Sequence, residues 1–210
     1  VMDEPLHVGI ISDRNQIANG FSTQYPNNRQ INYIGGSMLV DYFSSTSWLD
    51  TLVYHETCHN YQLNAKGNMV SSTMHSVLGN GSILLPWITI PNIVESSFLL
   101  EGNAVLNESW HGNGGRLYSG RFKAATLMQA KAGYLTPERV YNDNYYFLYG
   151  EHFYTLGGFY SYYLAQEYGL DDVNSYWKKH SKYWWWPFYT NIPMDQAIGK
   201  NFEQTLNTFD

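Results

Sequence analysis

The sequence has one cysteine, few charged residues and no long apolar segment. Asp, Glu, Lys and Arg make up 14% of its 210 residues, and the formal net charge is −6. The single Cys58 excludes an internal disulfide bond. Because the basic residues are scattered, nucleic acid is not expected as a partner. The apolar stretch "ILLPWITIPNIV" is short and contains two prolines, so we expect no transmembrane segment.

Aromatic residues, in contrast, make up 17% of the chain and include 19 tyrosines. Most of these side chains are expected to pack between helices. A chain of this length can bury a sizeable core, and we predict a single domain over residues 1–210. Because the sequence starts at Val1 rather than at a methionine, we also expect a processed protein or an excised domain, with further domains in a longer chain.

Two segments near the N-terminus have the composition of neighbouring β-strands. They are "LHVGIIS" (residues 6–12) and "RQINYIGG" (residues 29–36), both bounded by turn-forming residues. The intervening "ANGFSTQYPNN" is predicted to be a loop. The three segments together predict a small sheet at the start of the chain.

Helical periodicity begins after Ser47, which with Asp50 forms a predicted capping pair, and continues to Gly67. Further helices are predicted over residues 93–109, 120–132, 151–168, 172–183 and 202–209, with loops at "GNGSILLPWITIP" and "WHGNGG". The predicted fold class is therefore α+β. A small sheet lobe with the first helix takes residues 1–66, and a mainly helical lobe takes residues 67–210.

The first predicted helix contains "HETCH", in which two histidines lie four residues apart. On a helix, His55 and His59 share one face, so both rings can bind one zinc ion. Glu56 lies about 100° round the helix from His55, where it can act on a water molecule without being a ligand. The alternative is two surface histidines beside a solvated acid. Cys58, inside the motif, is interpreted as a small buried residue rather than a ligand.

A catalytic zinc site needs a third protein ligand. The metzincin pattern would place a glycine and a histidine where this chain has Gln62 and Ala65, so that class is excluded. A second helix offers Glu101 and Glu108, which are seven residues apart and share nearly the same face.

The choice of third ligand lies among Glu95, Glu101 and Glu108. Glu95 lies about 120° round the predicted helix from Glu101, so both cannot face the zinc helix. Glycine at position 102 favours Glu101, because a residue without a side chain lets two helices approach closely.

The combination of "HETCH" and "FLLEGNAVLNES" resembles the gluzincin zinc metallopeptidases, in which the Glu of a W/F-L-x-E-G-x-A segment completes the zinc site. "NQIANGFSTQYPNNRQINYI" resembles the edge strand before the zinc helix in bacterial peptidase-MA-like domains. "GRLYSGRFKAATLM", "FLYGEHFYTLGGFYSYYLAQEYG" and "AIGKNFEQTLNTF" resemble the helical lobe of that group, which in some exported proteins precedes a TolB-like propeller. The resemblance extends from about Gln16 to the C-terminus.

This resemblance implies a thermolysin-like catalytic domain with His55, His59 and Glu101 as zinc ligands and Glu56 as the general base. It also implies Tyr149 as the residue that stabilises the oxyanion, with Tyr146 and His152 as alternatives. Glu108 is a candidate hydrogen-bond partner for a ligand histidine, or else part of a solvated face. His75, His111 and His180 are interpreted as ordinary polar residues, a reading that does not depend on the resemblance.

One feature departs from the resemblance: 41 residues separate His59 from Glu101, which is longer than in the best-known gluzincins. The sequence predicts a long loop over residues 67–92 that could wall or cover the cleft.

The implied function is hydrolysis of peptide bonds in a peptide or protein substrate. Export to the periplasm or cell envelope is implied by the resemblance alone. An extended substrate is expected to pair with the strand Arg29–Ile34, if that strand lies at a sheet edge. The alternative is a catalytically inactive peptidase-like domain that binds polypeptide or cell-envelope partners.

Overall fold

The computed structural model describes residues 4–12, 14, 16–25, 27–36, 47–112, 114–141, 145 and 149–209. Within these ranges the chain is α+β, with a small sheet followed by a mainly helical body, as the sequence predicted. The strands are β1 (His7–Ile11), β2 (Ala18–Thr23) and β3 (Arg29–Ile34). No helix in these ranges is both long enough and apolar enough to cross a bilayer.

The sheet has the order β1-β3-β2, so β3 is its central strand. β3 pairs in parallel with β1 and antiparallel with β2. The prediction that residues 18–23 belong to a loop is wrong, since they form β2. Asn19 and Gly20 favour turns locally, but the hydrogen bonds to β3 outweigh that preference. The prediction of Arg29–Ile34 as an edge for substrate is also wrong, because both of its edges are already paired.

Helix α1 (Trp48–Asn64) carries the two histidines of the motif. The side chain of Ser47 accepts a hydrogen bond from the Asp50 backbone N–H, which confirms the predicted N-cap. The helix ends at Asn64, three residues before the predicted Gly67. One side of α1 packs on β2 and β3. Its buried side chains are largely polar, so the hydrogen bonds of this face matter as much as its apolar packing.

Residues 67–92 are helical for most of their length, so the prediction of a long loop is wrong. They form α2 (Met69–Leu78) and α3 (Pro86–Thr89), with a 3-10 turn at Gly79–Leu84. Asn68 caps α2 by accepting a hydrogen bond from Ser71 N. Ser71 is the one buried residue of α2. Val70, Met74, Val77 and Leu78 follow helical spacing, but this segment was predicted to be a loop, and in the structure these side chains are exposed or half-buried.

The remaining helices build the main core. They are α4 (Ser97–Trp110), α5 (Gly120–Lys131), α6 (Pro137–Tyr141), α7 (His152–Tyr168), α8 (Leu170–His180), α9 (Asn191–Ile198) and α10 (Phe202–Phe209). The predicted segments include α4, α5, α7 and α8, whose ends lie within four residues of the predicted ones, and α10, whose bounds are as predicted. The short helices α6 and α9 were not predicted.

Helices α4 and α7 pack so closely that their backbones almost touch. A Cβ atom on Gly102 would lie 2.4 Å from the backbone oxygen of Gly157, so a side chain cannot be accommodated at this crossing. Gly102 therefore makes room for α7. The prediction that it makes room for the zinc helix is wrong. The close contact fixes α4 against α7, and another face of α4 packs on α1.

Candidate metal centre

Packing of α1 against α4 brings His55, His59 and Glu101 together. The Nε2 atoms of the two histidines are 3.2 Å apart. Glu101 Oε2 lies 3.1 Å from His55 Nε2 and 3.2 Å from His59 Nε2. These three atoms form a nearly equilateral triangle. Donor atoms about 2.0–2.1 Å from one zinc ion in tetrahedral geometry are spaced at about 3.3 Å, so the triangle fits zinc.

The outer nitrogens of both rings face oxygen atoms. His55 Nδ1 lies 3.0 Å from Glu108 Oε2, and His59 Nδ1 lies 2.9 Å from Gln62 Oε1. An oxygen acceptor at Nδ1 holds the ring proton there and leaves the Nε2 lone pair facing the triangle. Two lone pairs and a carboxylate oxygen then point at one another. Such an arrangement needs a positive charge between the atoms, which is the property expected of a metal site.

The ionisation of these groups agrees with that geometry. Burial lowers the pKa of His55, while hydrogen bonds to Glu101 and Glu108 raise it, and the net effect raises the pKa to about 9. Burial raises the pKa of Glu101, but the contacts of its carboxylate with His55 and His59 outweigh burial and hold the pKa far below its ordinary value. The centre therefore favours positive charge beside an ionised carboxylate, whether a proton or a metal ion supplies it.

Glu108 is the predicted hydrogen-bond partner of a ligand histidine, and it is buried beside Arg116. Its carboxylate accepts hydrogen bonds from the Arg116 backbone N–H and guanidinium. Arg116 Nη1 also lies 3.2 Å from His55 Nδ1, but it is closer to Glu108 Oε2, so the carboxylate is the acceptor for both. Burial raises the pKa of Glu108, and the Arg116 charge and the His55 hydrogen bond lower it below its usual value. Glu108 thus stays ionised behind His55.

Glu56 lies beside the triangle and is held by β2. Ser22 Oγ is 2.8 Å from Glu56 Oε2 and 2.8 Å from the Glu56 backbone oxygen. A Cβ atom at Gly20 would lie 2.3 Å from Glu56 Oε1, so only glycine leaves space for this carboxylate. No spacing rule links β2 to Glu56, because the contact depends on how the sheet packs against α1.

A cavity of about 280 Å³ opens over these groups. It is lined by the triangle, Glu56, part of β2, Trp48, Thr51, Leu52, Leu63, Leu100, Arg116 and Tyr154. Tyr154, on α7, lies with its ring 6.1 Å from that of His55, and the Arg116 guanidinium is 4.8 Å from the Tyr154 ring centre. Burial and nearby carboxylates raise the pKa of Tyr154. The sequence reading missed Arg116 and Tyr154, which no spacing rule connects to the motif.

The structure does not bring Tyr149 into the lining of this cavity. Tyr149 precedes α7, has a positive φ of 45°, and its side chain is 71% exposed. Of the two alternatives, Tyr146 lies outside the described residues. His152 is buried, and burial together with the charge of Arg139 lowers its pKa to about 4.

Glu95 lies before α4 rather than on it, because the helix begins at Ser97. The helical angle used to separate Glu95 from Glu101 is therefore not applicable. Glu95 is buried and its Oε2 lies 3.2 Å from His180 Nε2, with Tyr176 donating to the same oxygen. Glu95 therefore contacts core side chains and does not belong to the group of candidate metal ligands. Cys58 is buried against Asn103, as predicted, and lies outside the triangle of candidate ligands.

Comparison of the chain with protein-family models, with curated proteins and with solved structures finds no match.

Proposed function

We propose that this protein is a zinc-dependent peptidase of the gluzincin type, with His55, His59 and Glu101 as metal ligands. The observation that carries the proposal is the triangle of three donor atoms at 3.1–3.2 Å with Glu56 beside it on the same cavity. Two imidazoles and one carboxylate are a ligand set that catalytic zinc sites use. When bound, zinc would supply Lewis acidity that brings the pKa of a water molecule close to 7.

Glu56 acts as the general base in this proposal. Its carboxylate lines the cavity without belonging to the triangle, so it is available to accept a proton from water and pass it to the leaving amine. Ser22 and Gly20 keep the carboxylate in place from the side of the sheet. A base that is fixed before the substrate arrives loses little entropy in the reaction.

Tyr154 and Arg116 take the role that the sequence assigned to Tyr149. Both line the cavity, and the Arg116 cation lies against the tyrosine ring. A phenol that remains protonated at neutral pH can donate a hydrogen bond to an oxygen on which negative charge develops. Tyr154 is therefore the proposed oxyanion donor, and Arg116 adds positive charge nearby.

An extended peptide substrate is proposed to pair with β2. Within the described sheet, β2 is an edge strand that pairs with β3 alone. Four consecutive residues of β2 line the cavity, namely Asn19, Gly20, Phe21 and Ser22. Backbone pairing at this edge would lay a peptide across the cavity beside Glu56, and would be independent of most side chains of the substrate.

The substitution Gly20→Ala tests the contact between β2 and Glu56. The new methyl group would displace the end of a flexible side chain, so we expect little loss of fold stability. Because a displaced base costs rate, peptidase activity should fall by roughly 10- to 100-fold. The matched control is Gly9→Ala on β1, where the nearest atom is 3.9 Å from the added carbon and activity should not change. Equal activities for the two variants would contradict the contact.

Zinc content and its effect on activity test the proposal as a whole. The purified chain, supplied with zinc, should contain about one zinc per molecule, and a chelator should lower its melting temperature because metal binds only the folded state. Activity on a broad peptide library should disappear with the chelator and return with zinc. A protein that takes up no zinc would overturn the metal centre. A protein that binds zinc but cleaves nothing would instead support the alternative of a peptidase-like binding domain.

A further inference from the structure

Gln62 is a buried side chain that contacts both helices of the metal centre. Only 1% of its surface is exposed. Its Oε1 lies 2.9 Å from His59 Nδ1, and its Nε2 donates to the Leu100 backbone oxygen and to Asn103 Oδ1, each at 3.0 Å. Leu100 directly precedes the ligand Glu101. One amide thus links a ligand histidine on α1 to the backbone of α4 beside the ligand carboxylate.

The neighbours of Gln62 allow only one orientation of its amide group. The Leu100 carbonyl oxygen can only accept a hydrogen bond. Asn103 Oδ1 also accepts from Trp177 Nε1 at 3.1 Å, and an indole N–H can only donate. Both partners therefore require the NH₂ group of Gln62 to face them. The oxygen of Gln62 must then face His59.

This orientation determines the tautomer of His59. An oxygen opposite Nδ1 keeps the ring proton on Nδ1, so the lone pair of Nε2 faces His55 and Glu101. We propose that Gln62 is a positioning residue that selects the metal-binding tautomer of His59 and holds it at the correct distance from Glu101. The inference rests on the proposed metal site. From the sequence alone, Gln62 was considered only because it stands where the metzincin pattern requires a glycine.

The side chains behind Gln62 make the arrangement asymmetric. His55 is oriented by the ionised Glu108, whereas His59 is oriented by a neutral amide whose polarity is set by Asn103 and Trp177. A reversed amide would place its oxygen against two acceptors, the Leu100 carbonyl and Asn103 Oδ1. Two unfavourable contacts would follow, because buried polar groups without partners are costly. Its NH₂ group would meanwhile select the other tautomer of His59, with the proton on Nε2.

The test compares zinc affinities of three variants by competition with a chelator. Gln62→Leu removes the acceptor and should weaken zinc binding by about 10- to 100-fold. Gln62→Glu keeps an oxygen opposite His59, so its zinc affinity should stay close to that of the wild type even though its melting temperature falls. Gln30→Leu is the matched control. Gln30 is equally buried and links β3 to α1 through Thr57, away from the ligand atoms.

Two results would overturn the role of Gln62. One is wild-type zinc affinity in a folded Gln62→Leu variant, and the other is an equal loss in Gln30→Leu, which would indicate general destabilisation. A wild-type chain that takes up no zinc would instead overturn the site on which the inference rests. These outcomes separate failure of the positioning role from failure of the proposed function.

A spectroscopic measurement on the unmodified chain decides the question if Gln62→Leu does not fold. In the zinc-free protein labelled with ¹⁵N-histidine, at a pH where the ring is neutral, His59 should carry its proton on Nδ1, and that proton should exchange slowly with water. The zinc-free state is used because zinc on Nε2 would place the proton on Nδ1 whatever residue stands at position 62. In Gln62→Glu the same proton should persist. A His59 ring protonated at Nε2, or an Nδ1 proton that exchanges as fast as in a free histidine, would contradict the role of Gln62.

Discussion

Glu56→Gln should bind zinc as tightly as the wild type and lose peptidase activity by roughly a thousandfold or more. Glutamine has nearly the same shape as glutamate, and the three donor atoms of the triangle are unchanged. The neutral amide cannot accept the proton of the attacking water. Ser22 can still donate to the amide oxygen at position 56, so the side chain is expected to stay in place. The measurements are the rate of peptide cleavage and the zinc content of the same preparation.

The matched control is Glu203→Gln, which makes the same chemical change at an exposed position on α10. Its activity should equal that of the wild type. An unchanged rate in Glu56→Gln would rule out Glu56 as the base. If the wild type and Glu56→Gln are equally inactive over a broad peptide library while both bind zinc, the chain is better described as a binding domain.

Glu101→Ala should abolish tight zinc binding, because it removes one of three ligands and leaves two histidines with no carboxylate. Glu108→Gln should weaken binding by only about 10- to 100-fold, since Glu108 contacts the outer nitrogen of the proposed ligand His55 and lies outside the triangle. Glu95→Gln should leave the affinity unchanged, because Glu95 contacts His180 and Tyr176 in the core. Zinc titration of the three variants ranks these effects.

Stability must be measured alongside affinity, since both acids are buried, Glu108 beside the Arg116 cation and Glu95 against His180 and Tyr176. Glutamine is chosen at these positions because alanine would leave buried partners unpaired, which for a buried cation such as that of Arg116 costs about 3–5 kcal/mol. A folded Glu101→Ala protein with wild-type zinc affinity would overturn the gluzincin assignment. A Glu95→Gln protein with greatly weakened affinity would show that the metal lies elsewhere.

The helical body and the motif were predictable because their signals are local. Ser47 caps α1 through a hydrogen bond that spans three residues, and the spacing of His55 and His59 places both rings on one helical face. Such features depend on backbone geometry within one or two turns. Glu101 and Glu108 were likewise predictable as a pair, since seven residues on one helix return to nearly the same face.

The strand β2 was predicted wrongly because its own residues carry opposing preferences and its conformation depends on pairing with a partner elsewhere in the chain. The helix α2 was missed for a different reason: its apolar residues follow helical spacing, but the Gly, Pro and Asn residues after it indicated a loop. β2 is stabilised by pairing with β3, and it covers Glu56 only because the sheet packs on α1. Gly102 is a second example. The sequence indicated that another helix approaches α4 closely at this glycine, but it did not indicate that this helix is α7.

The sequence by itself determined that His55 and His59 share one helical face and that Glu101 and Glu108 share another, and it indicated both acids as partners of the histidines. The tertiary structure brings these groups together, and it alone decided that Gln62 faces the outer nitrogen of His59 and that Tyr154 and Arg116 line the cavity. Periodicity along one element does not encode the distance between two elements. That distance is set by side-chain volumes at helix crossings, such as the absence of a side chain at Gly102 where α4 meets α7.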